Sequence, residues 1–391
     1  MKRLNRNLAC AAAIAVAVTG TTAVRADDDG FKSQRNAYVV NKLVSDQNGV
    51  ANFQDQVLRN AWGVAFTPNA SPFWIADNAS GCSTLYDGTG VKVTTIQVAI
   101  PLPDNSVPST ACQPASAQTN SPPPTPAAPT GLVWNPTTTF LVPGTTIAAS
   151  FIFATEDGTI SAWAGTIPDP SHAVIAVDNS GSGAVYKGLV FGTNPRGVFL
   201  FATNFHAGKV DAFAANGSVG FRSATSQEVE GGFTDPNIPA GFAPFGIENI
   251  DGNLFVSYAK QNAEMHDDMA GPGNGFVDVF DTDGNLLRRF ASRGPLNSPW
   301  GMTRASFAFG RFSGLILVGN FGNGKINVFS SQGQFIDELD RRNGKPLVID
   351  GLWKLILGGG RNSSSDTLYF TAGPNDETNG LFGTITPASK Q

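Results

Sequence analysis

Short apolar runs separated by clusters of glycine, asparagine and aspartate fill nearly the whole chain, and they recur in a fixed order. Each unit opens on a glycine followed by an apolar residue: Trp62-Gly63-Val64, Thr130-Gly131-Leu132, Lys187-Gly188-Leu189, Phe245-Gly246-Ile247, Trp300-Gly301-Met302 and Asp350-Gly351-Leu352. A second run follows, as in Phe73-Trp74-Ile75-Ala76-Asp77 and Leu254-Phe255-Val256-Ser257-Tyr258. Short β-branched and aromatic runs bounded by turn formers predict buried strands. A third run alternates, as in Lys325-Ile326-Asn327-Val328-Phe329, and hairpin dipeptides such as Asn216-Gly217 and Asp283-Gly284 lead into a fourth. The six glycines are 68, 57, 58, 55 and 50 residues apart. A period near the length of one four-stranded blade predicts an all-β, six-bladed β-propeller with antiparallel blades.

The last unit holds only three runs, at 353–357, 368–372 and 381–386, whereas 37–46 reads as a strand with no blade of its own. The amino-terminal strand is therefore expected to complete the last blade as its outer strand, which removes an open edge. This gives a single propeller domain over 37–387, with tails at 27–36 and 388–391. Residues 1–26 read as a cleaved export signal. Lys2, Arg3 and Arg6 precede an apolar middle from Leu8 to Val18, and Val24-Arg25-Ala26 supplies a small-residue cleavage pattern. That middle is too short to span a bilayer comfortably, and no other stretch comes close. The mature protein is expected in the periplasm or the surrounding medium, as a monomer.

Removing the signal shifts the charge. The full chain is at −5, but four cations leave with the signal, so 22 basic residues then face 31 acidic ones, a net −9. Nucleic acid needs a basic footprint, and this excludes it as a partner. A proline-rich insertion at about 100–129 carries nine prolines and cannot donate enough backbone hydrogen bonds to form sheet. Cys112 lies inside it, and Cys82 is the only other cysteine left after export. An even count in an oxidising compartment favours a Cys82–Cys112 disulfide over two free thiols.

Candidate chemistry comes from three places. Turns after the second strands bring Asn78, Asn204 and Asn320 to one face with the turns Glu156-Asp157-Gly158 and Asn375-Asp376-Glu377, together with Asp350 at the entry to the last unit. Hard oxygen ligands of this kind suit calcium; equally, Asn and Asp before glycine are ordinary turn formers. Glu248 and Arg304 follow the glycines of adjacent innermost strands, near Lys187 and Lys354, and are expected to line the channel. They read as a structural ion pair or as a polar ligand site. His266-Asp267-Asp268 is the densest group of possible metal ligands, and also a plain solvated charge run. No HExxH and no GxSxG occurs, so those hydrolase templates find no support.

The repeated Pro-Trp-Gly entry of 299–301, the Leu-Phe-Val second strand and the Lys-Ile-Asn-Val-Phe third strand resemble NHL-like six-bladed propellers. The fuller pattern, from Asn41-Lys42-Leu43-Val44-Ser45-Asp46 through Asn60-Ala61-Trp62-Gly63 to Ser298-Pro299-Trp300-Gly301-Met302, resembles an uncharacterised family of secreted bacterial proteins. The first resemblance implies the fold, and the second implies export without an activity. Two functions follow as expectations. One is a non-catalytic module that binds a saccharide, a peptide or an envelope protein through Glu248, Arg304, Asn78, Asn204, Asn320 and Asp350. The other rests on similarity to calcium-bearing lactonase-type propellers, a hydrolase or lyase with the ion held by Glu248, Asn78, Asn204, Asn320 and Asp350.

Overall fold

A computed structural model of the protein describes residues 35–68, 71–115 and 125–389. The expected export signal at 1–26, most of the expected amino-terminal tail and the middle of the proline-rich insertion lie outside the described residues. Among the described residues, six antiparallel sheets succeed one another in chain order. Their innermost strands are Ala61–Ala65, Pro129–Trp134, Tyr186–Asn194, Phe242–Ile250, Pro299–Arg304 and Leu352–Leu357. Each pairs with the strand that follows it, and neighbouring innermost strands face one another around a central axis. This is the expected six-bladed propeller.

The ring closes as expected. Tyr38–Ser45 runs antiparallel to Leu381–Pro387 as the outer strand of the sixth blade, with Tyr38 opposite Pro387 and Ser45 opposite Leu381. Tyr38 anchors this closure. It is buried, its ring stacks on Phe309 at 4.9 Å, and its hydroxyl donates to the Phe309 carbonyl at 3.0 Å. A short strand, Phe53–Gln54, adds to the same sheet in parallel.

The glycines of the repeat have a common reason. A Cβ at Gly63, Gly131, Gly188, Gly246 or Gly301 would strike the backbone of the next innermost strand, for example Leu189 N from Gly131 and Leu355 N from Gly301. Only glycine lets the innermost strands approach this closely around a narrow axis. The sixth glycine departs from the expectation. Leu352 pairs with Ala372 as Ala61 pairs with Asp77, so Trp353 stands level with Trp62 and Trp300. Lys354, not Gly351, takes the glycine position of the sixth blade. Gly351 instead serves the entering turn, where φ is +63°. A second glycine demand three residues upstream imitated the period.

Cys82 and Cys112 are joined by a disulfide with Cα atoms 5.0 Å apart, which ties the insertion to the third strand of the first blade, Cys82–Tyr86. Replacing Cys112 by Ser is expected to cost about 3 kcal/mol through the freed unfolded chain. The check is a lower melting temperature in non-reducing buffer, with wild type matching the variant once reduced.

Candidate functional site at one mouth of the channel

The channel is blocked in the middle by rings. Trp62 and Trp353 stack at 3.6 Å between centroids, and Trp300 meets both edge-on at 6.2 and 5.7 Å. Phe245 stands 5.9 Å from Trp353, and Phe321 stacks on the same ring at 3.9 Å. Trp62, Trp300 and Phe245 each precede a channel glycine, and Trp353 precedes Lys354, which holds the same position, so all four point at the axis. In the second and third blades that position holds Thr130 and Lys187 instead. The plug divides the channel into two ends. One receives the turns between second and third strands; the other receives the loops between first and second strands.

At the first end a chain of polar side chains passes through five blades. Trp353 Nε1 donates to Asn60 Oδ1 at 2.9 Å. Asn60 Nδ2 donates to Glu377 Oε2 at 2.7 Å and to Asn78 Oδ1 at 3.1 Å. Asn78 Nδ2 donates to Glu156 Oε2 at 2.9 Å. Glu156 Oε1 pairs with the Lys187 ammonium, which also lies 3.5 Å from Asp267 Oδ1. The His266 ring nitrogen Nδ1 shares a 2.9 Å hydrogen bond with the same Asp267 oxygen. Lys187 Nζ sits 5.3 Å from the Trp62 ring centre and 5.8 Å from that of Phe205, so two aromatic faces flank the buried cation.

Local structure explains how the acids reach this place. Asn262 Oδ1 accepts from the backbone N–H groups of His266 and Asp267 at 2.9 and 3.2 Å, an Asx-type turn that folds the excursion back on itself. Gln261 Nε2 binds the Phe205 carbonyl at 2.6 Å and fixes that excursion to the third blade. Glu377 arrives by a strained route. Asn375, Asp376 and Glu377 have φ of 57°, 50° and 62°, three successive left-handed residues without a glycine among them. Such conformations cost of order 1 kcal/mol each and persist where surrounding contacts impose them.

The electrostatics are those of crowded acids around one buried cation. Burial, then the charge of Glu156, pushes the Glu377 carboxyl up to about 7. Burial also raises Asp268, whose Oδ2 has no hydrogen-bond partner among the described residues, and it raises Asp157. Burial opposes the Lys187 charge, but Glu156 and Asp267 outweigh it and the ammonium is held above its usual range. The Asp267 hydrogen bond raises His266 and lowers Asp267 in return. Glu156, His266 and Asp267 offer one ligand atom each within 4.8 Å of one another, so this trio could hold a metal ion.

Glu377 gives the mouth a pH signature. Between about 4.5 and about 7 the folded state holds a proton that the unfolded state has released, so stability falls as pH rises through this window. The contribution is complete below the lower value and lost above the upper one. Glu377→Gln is expected to raise stability at pH 8 by about 3 kcal/mol relative to wild type and to leave pH 4 nearly unchanged. Melting curves across that range check it.

The residues singled out in the sequence fall in different places. Asn78 is in the network. Asn204 and Asn320 are buried turn formers on the same face, their carboxamide oxygens accepting from backbone N–H groups, Ala207 at 3.2 Å and Asn297 at 3.1 Å respectively. Asp350 is exposed, with Oδ2 accepting from Asn375 N at 2.9 Å. Glu248 and Arg304 lie beyond the plug, toward the opposite end. They do not pair with each other: Glu248 binds Lys354, and Arg304 binds Asp251. Glu156 and Glu377 carry the mouth from turns expected on this face, and Lys187 from an expected channel position, but no motif marks any of them or Asn60 as a site residue. The signal available was positional, since a lysine in a tryptophan position of the repeat is out of place.

Six antiparallel blades, a plugged channel and polar turns gathered at one mouth define the class, a six-bladed β-propeller. Within it, the chain belongs to the family of uncharacterized protein L690 of Acanthamoeba polyphaga mimivirus, to which it is 31% identical over 355 residues, 88% of this chain and 85% of that one. Uncharacterized protein R648 of the same virus is 30% identical over 350 residues, 88% of this chain and 79% of the relative. No protein-family model matches the chain. Among solved structures it is similar to virginiamycin B lyase from Staphylococcus aureus, at 14% identity and a TM-score of 0.48 over 89% of this chain and 99% of that one. It is also similar to a luciferin-regenerating enzyme, at 13% identity and a TM-score of 0.49 over 90% and 95%. A gluconolactonase from Xanthomonas campestris stands at 12% identity and a TM-score of 0.46 over 85% and 88%. At these identities the likenesses say nothing about substrate. Among the described residues no helix is long and apolar enough to cross a membrane.

Proposed function

We propose that this protein is an exported, non-catalytic binding module whose ligand is a small organic cation, or the cationic side chain of a peptide. The observation that carries this reading is the convergence of Glu156, Asp267, Asp268 and Glu377 on one mouth, where Lys187 and His266 are the cationic partners that pair with them among the described residues. Acids crowded over a rigid aromatic floor attract and desolvate a cation. The half-buried Phe321, stacked on Trp353, supplies a ring face beside them. Export draws support from the amino-terminal charge and hydropathy pattern and from the Cys82–Cys112 bond, since structural disulfides belong to oxidising compartments. A saccharide or an envelope protein remains within the same reading only if it presents a cation here. The resemblance to secreted bacterial propellers is part of this proposal.

One observation favours a second reading, a metal-dependent hydrolase or lyase. Glu156, His266 and Asp267 are close enough to share an ion. An imidazole among the ligands points away from calcium and toward zinc or manganese. Against it stands Lys187, whose ammonium already bridges the two carboxylates. The test is thermal melting of the mature protein with choline, spermidine, glucose, calcium, zinc or manganese, each metal with a chelator control. Ligands that bind only the folded state raise the melting temperature by mass action. A rise with the amines alone supports the first reading, and a chelator-reversed rise with zinc or manganese supports the second. A rise with glucose alone would overturn both.

A further inference from the structure

Beyond the aromatic plug, the other half of the channel is a separate cavity of about 480 Å³. Its wall is apolar, built from Val64, Leu132, Val133, Leu189, Val190 and Ile356 of the innermost strands. Its inner end carries one ion pair, Lys354 of the sixth blade with Glu248 of the fourth, reaching across the axis. Lys354 stands where the other five blades have glycine, so its side chain enters space that the repeat otherwise leaves empty. Its side chain is 11% exposed and that of Glu248 is 25% exposed.

An ion pair in this setting gives little stability, because desolvation offsets the attraction. Each partner also has unused capacity. Lys354 Nζ has three protons and makes one hydrogen bond among the described residues, with the face of Trp300 5.9 Å away. Glu248 uses Oε2 and leaves Oε1 without a partner among the described residues. A donor and an acceptor therefore look into an apolar tube from its closed end. The tube is of ordinary small-ligand size. It opens beside a second hollow of about 470 Å³ that shares Glu248 and Asn249 and is bordered by the 82% exposed Phe307.

We propose that this lower half-channel is a second ligand site, for a small neutral amphiphile with an apolar body and one head group that both donates and accepts, such as a primary amide or an alcohol. The head accepts from Lys354 Nζ and donates to Glu248 Oε1, while the body lies along the valine and leucine wall. Neutrality follows from the charges. Lys354 and Glu248 cancel, so a charged head would leave a net charge in a poorly hydrated tube. This site is independent of the mouth on the far side of the plug, and either can fail without the other.

The test uses the mature protein and N-phenyl-1-naphthylamine as a fluorescent reporter, displaced by hexanamide, hexanoate or hexylamine. The expected result is saturable binding, with hexanamide displacing at least tenfold more tightly than either charged analogue. Val133→Trp, which fills the tube, should abolish reporter binding in a variant that still melts cooperatively. Lys354→Met should weaken hexanamide about tenfold while the reporter, held by its apolar rings, changes little. If Val133→Trp does not fold, the wild-type selectivity series decides alone. Absence of saturable binding, charged analogues equal to hexanamide, or full binding in folded Val133→Trp would each overturn the proposal.

Discussion

Deleting 381–391 is expected to leave no cooperatively folding protein. The deletion removes Leu381–Pro387, the strand that holds Tyr38–Ser45 on one side and Leu368–Ala372 on the other. Both edges of the sixth blade open at once. Buried Phe382 and Ile385 are lost from their packing, and Tyr38 loses its pairing partner Pro387. Unpaired edges of this kind recruit other chains, so soluble aggregates should replace the wild-type species on size exclusion. Deleting the residues before Arg35 leaves the closing strand intact and should leave the melting temperature unchanged. Equal stability of the two truncations would contradict the closure.

Lys187→Met is expected to cost about 3 kcal/mol, because it leaves Glu156 largely buried without its cation. The Lys187 side chain is 2% exposed and that of Glu156 13%. The double variant Lys187→Met with Glu156→Gln should recover most of the loss, since removing both charges is far less damaging than removing one. Chemical denaturation of the two single variants and the double variant measures the coupling. The same Lys187→Met protein separates the two readings of the mouth. With the ammonium gone, Glu156, His266 and Asp267 are free to take an ion, and manganese or zinc should stabilise the variant more than wild type.

The architecture could be read from the chain because propeller blades repeat the same physical demands. Five of the six entries have a glycine where innermost strands touch, four have a large ring just before that position, and Asn or Asp recurs in the following turns. Trp62-Gly63 and Trp300-Gly301 display all of this openly. The repeat misled where a different demand produced the same residue, as at Gly351, whose left-handed turn stood in for the missing channel glycine. The channel position itself is held by Lys354.

The mouth was harder to read for a geometric reason. Glu156, Lys187, Asp267 and Glu377 belong to the second, third, fourth and sixth blades, and only closing the ring brings them together. Spacing along the chain carries no trace of that. Glu248 and Asn78 both follow the pattern expected of channel residues, yet the plug of Trp62, Trp300 and Trp353 lies between them, and their distance along the axis depends on strand register. Asn204 and Asn320 lie on the expected face with their oxygens committed to turn hydrogen bonds. The His266-Asp267-Asp268 run is more than a solvated charge run. Asp267 is 62% exposed, yet it contacts Lys187 and His266.

The most direct measurement is a calorimetric titration of the mature protein with spermidine and with choline, repeated on Asp267→Asn and Asp268→Asn. Saturable one-to-one binding of at least one amine is expected, weakened about tenfold in each variant and steeply with added salt, as where carboxylates hold a ligand. Binding that is indifferent to both substitutions, or none by either amine, would contradict a cation-binding mouth.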